Sequence, residues 1–304
     1  MTTEAVATFG TGLLRTTVRR TPDGFLWSRR TGPLAPSPFA PPTPGLSALL
    51  AGQDGPRTHW LLGESDHRGN RHYAARSSLT AAYVLLTCDG VPEFPLSPEL
   101  LDALTGLGGL LAGLHQAQVL PTTPSPGPSR ALRRLHAWLT GVSEVPGADL
   151  LRSGLGARLF TVLARGCATA LMPSPDDVLC HGAPGLGSLL LGGPGRPAEM
   201  LIGEDICTAP ASYDLGWPIG ELIELRRSHG ARDPEAWQPF MDAVSTGYGD
   251  TGTSLDSLWP ALRIAVHAHD TIAYRPWPPA RAIPEFVPLL HDLLNASVLP
   301  LRFR

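Results

Sequence analysis

The pattern of apolar residues changes once along the chain, at Asp89-Gly90, and this change limits the folds that are open to it. Before it, short β-branched segments alternate between apolar and polar residues, as strands do. After it, apolar residues recur at helical spacing. We therefore predict an α+β protein with a small β-rich lobe at 1–89 and a larger helical lobe at 90–304. A chain of 304 residues is long enough for both.

The small lobe is predicted to begin with a β-hairpin, because the turn residues TPDG separate two β-rich segments at 13–30. A proline-rich connector at 32–44 cannot be regular helix or central strand. The apolar run AAYVLLTC at 81–88 predicts the last strand of the lobe, with Cys88 to Gly90 as the hinge. The remaining predicted elements are a short helix at 46–52 and a strand at 58–64.

The large lobe is predicted to be mostly helical. A proline-rich loop at 119–130 interrupts it, and short strands with glycine-rich turns are expected within 178–206. The predicted helices are 97–118, 129–141, 157–171 and several more from residue 215 onward.

All 24 basic residues are arginine, and the chain contains no lysine. Without a lysine ammonium group it cannot form a lysine Schiff base, build a Walker-type phosphate loop or place the lysine that holds ATP phosphates in a kinase. The net charge of −3 predicts no strong field toward nucleic acid or a membrane surface. We therefore expect neither among the partners of this protein.

The cysteines at 88, 167, 180 and 207 are far apart and show no CxxC spacing. This pattern predicts reduced thiols rather than a disulfide framework. No apolar stretch is long enough to span a bilayer, and the N-terminal MTTEAVATFG lacks the hydrophobic core of a secretory signal. We expect a cytoplasmic protein.

Three motifs follow one another in the large lobe: LLAGLHQ at 110–116, VLCHGAPGLGSLLL at 178–191 and LIGEDICTAPASYDLGW at 201–217. In order and spacing they resemble the LAxLH, HGDxxxxN and IDW…DLA elements of the aminoglycoside phosphotransferase and choline kinase-like family. The glycine-turn hairpin at 9–30 is similar to that family's first hairpin. The resemblance covers nearly the whole chain and implies a bilobal protein-kinase-like fold.

The same resemblance implies a degenerate nucleotide site. Ala183 stands where the family has the aspartate beside the acceptor hydroxyl, and it cannot take a proton. Ser188 and Gly203 stand where the family has metal-binding asparagine and aspartate, and Arg29 is the nearest counterpart of the missing lysine. Loss of a general base alone slows catalysis by roughly 10²–10⁴-fold. We therefore predict that ATP-dependent phosphotransfer is lost, and we expect no cofactor and no resident metal.

Three polar residues form the candidate catalytic set: His181, Glu204 and Asp205. The resemblance implies that His181 braces the catalytic loop, and the alternative is a general acid or base in a different reaction. Glu204 and Asp205 follow a strand end in the predicted cleft, and the alternative is a solvated turn. A shift of one residue in the alignment would return one of these carboxylates to a metal.

Other polar residues are expected to be structural. The resemblance gives this role to His115 and to Asp214, which is predicted to cap a helix and accept backbone N–H groups. Cys180 and Cys207 leave two alternatives open, a reactive or zinc-binding thiol and a buried inert one, and the apolar strand around Cys180 favours the second.

A helix near the C-terminus carries His267, His269 and Asp270. Positions 267 and 270 share a face of the helix, but 269 does not. Metal ligands must converge on one point, so the pattern favours a surface cluster over a metal site.

The first function hypothesis is a pseudokinase that binds a peptide, protein or small-molecule partner in a biosynthetic tailoring complex. Members of the family occur in pathways that phosphorylate Ser or Thr of ribosomally made precursor peptides before elimination. The resemblance therefore implies a pathway enzyme or precursor peptide as the partner, with a role in dehydration or cyclisation of a RiPP of the lanthipeptide type.

The alternative is an active phosphotransferase that uses Mg·ATP on a small-molecule or peptidyl Ser/Thr hydroxyl. Glu204 or Asp205 would then hold the metal, and Arg29 would hold the phosphates. A weaker third hypothesis is a non-phosphoryl enzyme that uses His181 with a carboxylate.

Overall fold

The computed structural model describes residues 5–40, 45–87, 98–117, 126–229, 234–249, 255–275 and 277–296. The strands are β1 Ala5–Gly10, β2 Leu14–Thr21, β3 Gly24–Thr31, β4 Thr58–Leu62, β5 Glu64–Ser65, β6 Arg71–Ala75, β7 Val178–Cys180, β8 Leu189–Leu190, β9 Ala198–Ile202 and β10 Cys207–Ala209. The helices are α1 Leu46–Leu50, α2 Ala81–Thr87, α3 Pro98–Gln116, α4 Arg130–Leu139, α5 Ala148–Ala170, α6 Ala211–His229, α7 Gln238–Tyr248, α8 Leu258–Tyr274 and α9 Pro279–Asn295.

A five-stranded sheet in the order β1-β2-β3-β6-β5 forms the N-terminal part and confirms the predicted hairpin at 13–30. Alternation along its strands places Val18, Trp27 and Tyr73 in one cross-strand row on the inner face, where they are buried. The next row on the same face runs through Phe9, Thr16, Arg29 and Arg71. This second row faces the large lobe.

Strand β4 confirms the predicted strand at 58–64 but belongs to another sheet. It pairs in parallel with β9, which also pairs with β8. Trp60 and the short helix α1 consequently pack in the main core, together with the helices of the large lobe. The predicted lobe boundary at 89–90 and the hinge from Cys88 to Gly90 lie outside the described residues and stay predictions.

The predicted strand at 81–88 is wrong, because residues 81–87 form helix α2. The buried residues Ala81 and Leu85 are four positions apart, whereas Tyr83 and Leu86 are exposed, which is a helical pattern. Thr80 Oγ1 also accepts the N–H of Tyr83 at 3.0 Å, as an N-cap side chain does. A short apolar run fits a strand or a helix equally well, and here the cap and the four-residue spacing favour the helix.

Helices dominate the rest, as predicted. Helix α3 confirms the prediction at 97–118, and α4 the one at 129–141. The helix predicted at 157–171 is the second part of α5, which begins at Ala148 and is interrupted at Gly156, where φ is 74°. The predicted loop at 119–130 is described only from residue 126. In the part of the chain that the structure describes, every helix is too short or too polar to cross a bilayer.

Two glycines allow α3 and α7 to approach each other closely. A Cβ on Gly108 would lie 2.1 Å from the carbonyl oxygen of Val244, and one on Gly247 would lie 1.8 Å from that of Thr105. Backbone cannot move aside as a flexible side chain can. The contact therefore requires glycine at both positions.

Adjacent glycines of α3 give a matched test of this packing. We expect Gly108→Ala to lower the free energy of unfolding by about 1–3 kcal/mol through overpacking. Gly109 is exposed, and its Cβ would lie 3.6 Å from the nearest atom, so Gly109→Ala should raise stability by up to about 1 kcal/mol. Urea unfolding of both variants measures the difference, and equal effects would contradict the proposed close approach.

Candidate functional site

A cleft of about 570 Å³ lies between the N-terminal sheet and the large lobe. Its lining includes Arg29, His181, Ser188, Glu204 and Asp205, so the structure brings these predicted site residues together. Ala183 also lines it. Further lining residues include Phe9, Gly10, Leu14, Thr16, Phe39, Arg130, Arg134, Leu201, Trp217, Glu221, His267, Asp270, Thr271 and Arg275.

Arg29 connects the two sides of the cleft. Its Nη1 donates to Ser188 Oγ at 2.9 Å and to Glu204 Oε1 at 3.2 Å, and its Nη2 donates to the Gly187 carbonyl at 3.0 Å. The Arg29 and Glu204 side chains are 6% and 11% exposed, so this ion pair is largely removed from water. Residues that the sequence resemblance places at or beside phosphate and metal positions therefore bond to one another.

A tyrosine completes the surroundings of Glu204. The Tyr73 hydroxyl donates to Glu204 Oε1 at 2.7 Å. Burial and the negative charge of Glu204 raise the pKa of Tyr73 well above 10.0, against the opposing effect of Arg29. Tyr73 thus stays a neutral donor and holds the carboxylate together with Arg29.

Gly203, which the resemblance places at a metal-ligand position, offers only its carbonyl. Arg71 Nε donates to that oxygen at 3.3 Å, and Arg71 Nη2 donates to the Ala40 carbonyl at 2.5 Å. The guanidinium groups of Arg71 and Arg130 lie 5.8 and 5.9 Å from the ring centre of Phe39. The proline-rich connector is therefore fastened to the segment that carries Gly203.

Asp205 has a cation of its own. Arg130 Nη1 donates to Asp205 Oδ1 at 2.6 Å and to the Glu204 carbonyl at 3.2 Å. Other nitrogens of Arg130 donate to the Ser37 hydroxyl and carbonyl at 3.2 and 2.9 Å. Arg130 was not predicted from the sequence, because no local pattern marks a contact between residues 75 positions apart.

His181 has both ring nitrogens engaged by the backbone. Its Nε2 donates to the Leu201 carbonyl at 2.7 Å, and its Nδ1 accepts the N–H of Ala183 at 3.3 Å. This arrangement requires the neutral imidazole with the proton on Nε2. His181 therefore braces the loop, and neither nitrogen is free to serve as a base.

Asp214 also fixes the loop that contains His181 and Gly182. Its carboxylate accepts the N–H groups of His181 at 2.6 Å and Gly182 at 2.9 Å, and it lies 3.2 Å from His115 Nε2. It is fully buried. The expected acceptance of backbone N–H groups is confirmed, but the bonds go to the loop and not to the helix that carries Asp214. Gly182 has φ 92°, and a Cβ there would collide with the carbonyl of Asp205.

His115, Cys180 and Asp214 place potential metal ligands within 4.8 Å of one another. Their chemistry does not fit a metal ion. Both nitrogens of His115 are engaged, with Tyr248 at 2.9 Å on Nδ1 and Asp214 on Nε2. Burial, Cys207 and Asp214 raise the pKa of the Cys180 thiol well above 9.0, which disfavours the thiolate that a metal requires.

Cys180 and Cys207 lie directly opposite each other on β7 and β10. Both are buried, and their thiols are free. The structure thus agrees with the favoured alternative of buried thiols, and places Cys180 outside the cleft lining.

Glu221 and His267, which line the cleft, belong to a half-buried charge network. Arg263 pairs with Glu221 at 3.1 Å and with Glu224, and His267 Nδ1 lies 2.5 Å from Glu224 Oε1. Burial raises the pKa of Glu224, but Arg263 and His267 outweigh it and lower the pKa to about 2. Glu221 Oε2 accepts the N–H of Leu186 at 2.6 Å, which fixes the loop after Ala183 to helix α6.

The predicted surface cluster on α8 is wrong. His267 and Asp270 line the cleft, and His269 is 2% exposed and packs 5.5 Å from the ring of Trp138. His269 Nδ1 bonds Asp270 Oδ1 at 2.7 Å, and Arg134 Nη2 bonds Asp270 Oδ2 at 3.0 Å. Helix α8 packs against α6 and α9, so residues on several of its faces are covered.

Unused hydrogen-bonding groups remain at this end of the cleft. The Nε atoms of Arg29 and Arg134 and the Thr271 hydroxyl are buried and have no partner among the described residues. All three residues line the cleft. Leaving such buried groups unpaired is unfavourable.

Comparisons with solved structures identify the fold. Over 98% of this chain and 90% of the other, the structure matches an amicoumacin kinase in complex with AMP-PNP and Ca²⁺, at 13% identity and TM-score 0.59. A choline kinase from Streptococcus pneumoniae matches over 94% and 95% at 11% identity and TM-score 0.54. A glucosamine kinase in complex with glucosamine, ADP and inorganic phosphate matches over 92% and 76% at 18% identity and TM-score 0.53.

No protein-family model matches the sequence, and no curated protein sequence matches it either. The structural likeness shows that the chain adopts the kinase-like fold shared by choline kinase and these antibiotic and sugar kinases. The expectations of an α+β fold and of the aminoglycoside phosphotransferase and choline kinase-like architecture are therefore confirmed.

Breaking the Arg29–Glu204 pair should destabilise the protein strongly. We expect Glu204→Gln to cost about 3–5 kcal/mol in unfolding free energy, because it leaves Arg29 buried without its counter-charge. The exposed pair Arg57–Asp102 serves as the control, with side chains 54% and 63% exposed. Asp102→Asn should cost no more than about 1 kcal/mol. Similar losses of both variants in urea unfolding would show that the cleft pair contributes no more to stability than the exposed pair.

We expect Glu224 to make the free energy of unfolding depend on pH in the acidic range. Its pKa falls from 4.5 in the unfolded chain to about 2 in the folded one, so the folded state favours the carboxylate. This contribution is complete above pH 4.5 and is lost as the pH falls toward 2. Unfolding midpoints across that range should fall more steeply for the wild type than for Glu224→Gln. Parallel curves would contradict the shift.

Proposed function

We propose that this protein is a pseudokinase that binds a peptide or protein partner in its cleft, within a biosynthetic tailoring complex, and does not transfer phosphate from ATP. The observation that carries the proposal is the mutual bonding of Arg29, Ser188 and Glu204. Side chains at or beside the family's phosphate and metal positions satisfy one another.

Electrostatics oppose nucleotide binding. Phosphotransfer sites need cations and metal ions to neutralise the phosphates. Here Arg29, Arg130 and Arg134 already pair with Glu204, Asp205 and Asp270. A triphosphate that used any of these three arginines would first have to displace its carboxylate.

Proton transfer is also unsupported. Ala183 has no group that accepts a proton, and both nitrogens of His181 are bonded to backbone atoms. A nearby acceptor hydroxyl would have no base at the position where the family places one.

The shape and lining of the cleft suit a peptide. Phe9, Phe39 and Trp217 offer apolar contact area, and the partly exposed carboxylate of Asp205 offers a hydrogen-bond acceptor. A peptide presents alternating apolar side chains and amide groups, which match such a lining. Assignment to a RiPP pathway of the lanthipeptide type, with a pathway enzyme or precursor peptide as partner, follows from the sequence resemblance. That assignment and the cytoplasmic location stay predictions.

One observation favours the alternative of an active phosphotransferase. The Asp205 side chain is 29% exposed in the cleft, and only its Oδ1 is bonded within the described residues. Oxygen ligands of this kind hold Mg²⁺ in kinases. Glu204 suits the role less well, since Arg29 and Tyr73 both engage it.

Titration with Mg·ATP separates the two functions. We expect no heat of binding, a negligible thermal shift and no ADP release above background with hydroxyl acceptors or peptides, because a ligand far below its Kd adds no stability. Asp205→Asn is the matched variant. A Mg²⁺-dependent shift or ADP release in the wild type that Asp205→Asn abolishes would refute the pseudokinase proposal and support the alternative.

A further inference from the structure

Three exposed arginines lie on the outer face of the N-terminal sheet, opposite to the face that lines the cleft. Arg15 and Arg30 are directly paired across β2 and β3, and Arg19 lies four residues along β2 on the same face. We call Arg15, Arg19 and Arg30 the arginine patch. Like charges directly opposite each other on a sheet are destabilising, so their presence calls for a compensating anion.

None of the three has an acidic partner among the described residues. Glu64 and Asp66 lie at the other edge of this sheet near β5, where Asp66 is engaged by Asn70 and His72, and Asp23 lies in the turn between β2 and β3. The chain as a whole carries a net charge of −3. The arginine patch is therefore a local concentration of positive charge on a protein whose net charge is negative.

The arginine patch adjoins the mouth of the cleft. Arg15 pairs with Gly10 at the end of β1, and both Gly10 and Phe9 line the cleft. β1 is an edge strand of the sheet, and Phe9 is 50% exposed. Gly10 carries no side chain at the point nearest to Arg15, and the space that a Cβ would take is filled by the Leu14 carbonyl, 2.4 Å away.

We propose that the arginine patch binds an acidic, extended segment of a peptide, which then crosses the edge of β1 at Gly10 and enters the cleft past Phe9. The inference rests on the proposed function, which makes a peptide the partner, and it adds the charge of the segment outside the cleft. Guanidinium groups bind carboxylates in paired hydrogen bonds, so glutamate or aspartate side chains fit this surface. Contacts at Arg15 and Arg30 orient the chain toward the cleft mouth.

Fluorescence anisotropy with two labelled peptides tests the proposal. One alternates glutamate and threonine, the other alternates glutamine and threonine, and each is long enough to extend from Arg30 across β1. The acidic peptide should bind, more tightly at low than at physiological ionic strength, and the neutral one should bind far less.

The double variant Arg15→Gln/Arg30→Gln should weaken binding of the acidic peptide at least about tenfold, since it removes two charge-assisted contacts. Arg133→Gln/Arg165→Gln is the control: it changes the net charge equally at exposed sites on α4 and α5 and should leave affinity within about twofold. The patch variant should keep or gain thermal stability, because it relieves a like-charge pair.

Equal losses in both double variants, equal binding of both peptides, or binding of a single-stranded RNA but not of the acidic peptide would each overturn the proposal. Mg·ATP titration of the same samples keeps the two proposals apart. Nucleotide binding with intact patch-dependent peptide binding would refute only the proposed function. Absence of both nucleotide and peptide binding would refute only the arginine patch.

Discussion

The buried pair between Arg29 and Glu204 joins the two sides of the cleft, and the arrangement of the whole site depends on it. One partner is on a strand of the N-terminal sheet and the other follows β9. A buried charge pair is favourable only when its remaining hydrogen-bonding groups are satisfied. Ser188, Gly187 and Tyr73 do this for most of the polar atoms involved.

Arginine is suited to this position in a way that lysine is not. Its planar fork presents donors in several directions, so one side chain bonds a hydroxyl, a carbonyl and a carboxylate at once. A lysine would present one compact charge to phosphates. These bonds therefore make Arg29 a fixed connection between strand β3 and the segments that carry Ser188 and Glu204. Arg130 and Asp205 repeat the same principle beside it.

Much of the fold could be predicted from the sequence, because local patterns determine it. Turn residues marked the β2–β3 hairpin, and helical spacing marked α3. The segment 81–87 could not be assigned correctly from its apolar run, because its helical state depends on the Thr80 cap and on burial of Ala81 and Leu85. The pairing of β4 with β9 could not be predicted from the sequence either, since β9 lies far along the chain.

The site, like the fold, could be predicted from the sequence only in part. The resemblance brought Arg29, Ser188 and Glu204 to one place in advance, and the structure places all three in the cleft. It could not predict that they bond to one another, nor that Arg130 fastens the connector at Ser37 to Asp205. Such contacts depend on side-chain directions in three dimensions, which spacing along the sequence does not specify. His269 was predicted to lie on the surface because of its polar neighbours, but tertiary packing buries it.

The glycine turn between β1 and β2 is bonded to the large lobe, since the N–H of Gly12 donates to the Tyr274 carbonyl at 2.9 Å and the Gly12 carbonyl accepts from Leu34 at 2.8 Å. Separation of the lobes at this end must break the first of these bonds. The rate at which any cleft ligand is exchanged is therefore coupled to a local opening of the protein as well as to the ligand's own contacts. A ligand held beneath this turn can have a long residence time even when its equilibrium affinity is modest.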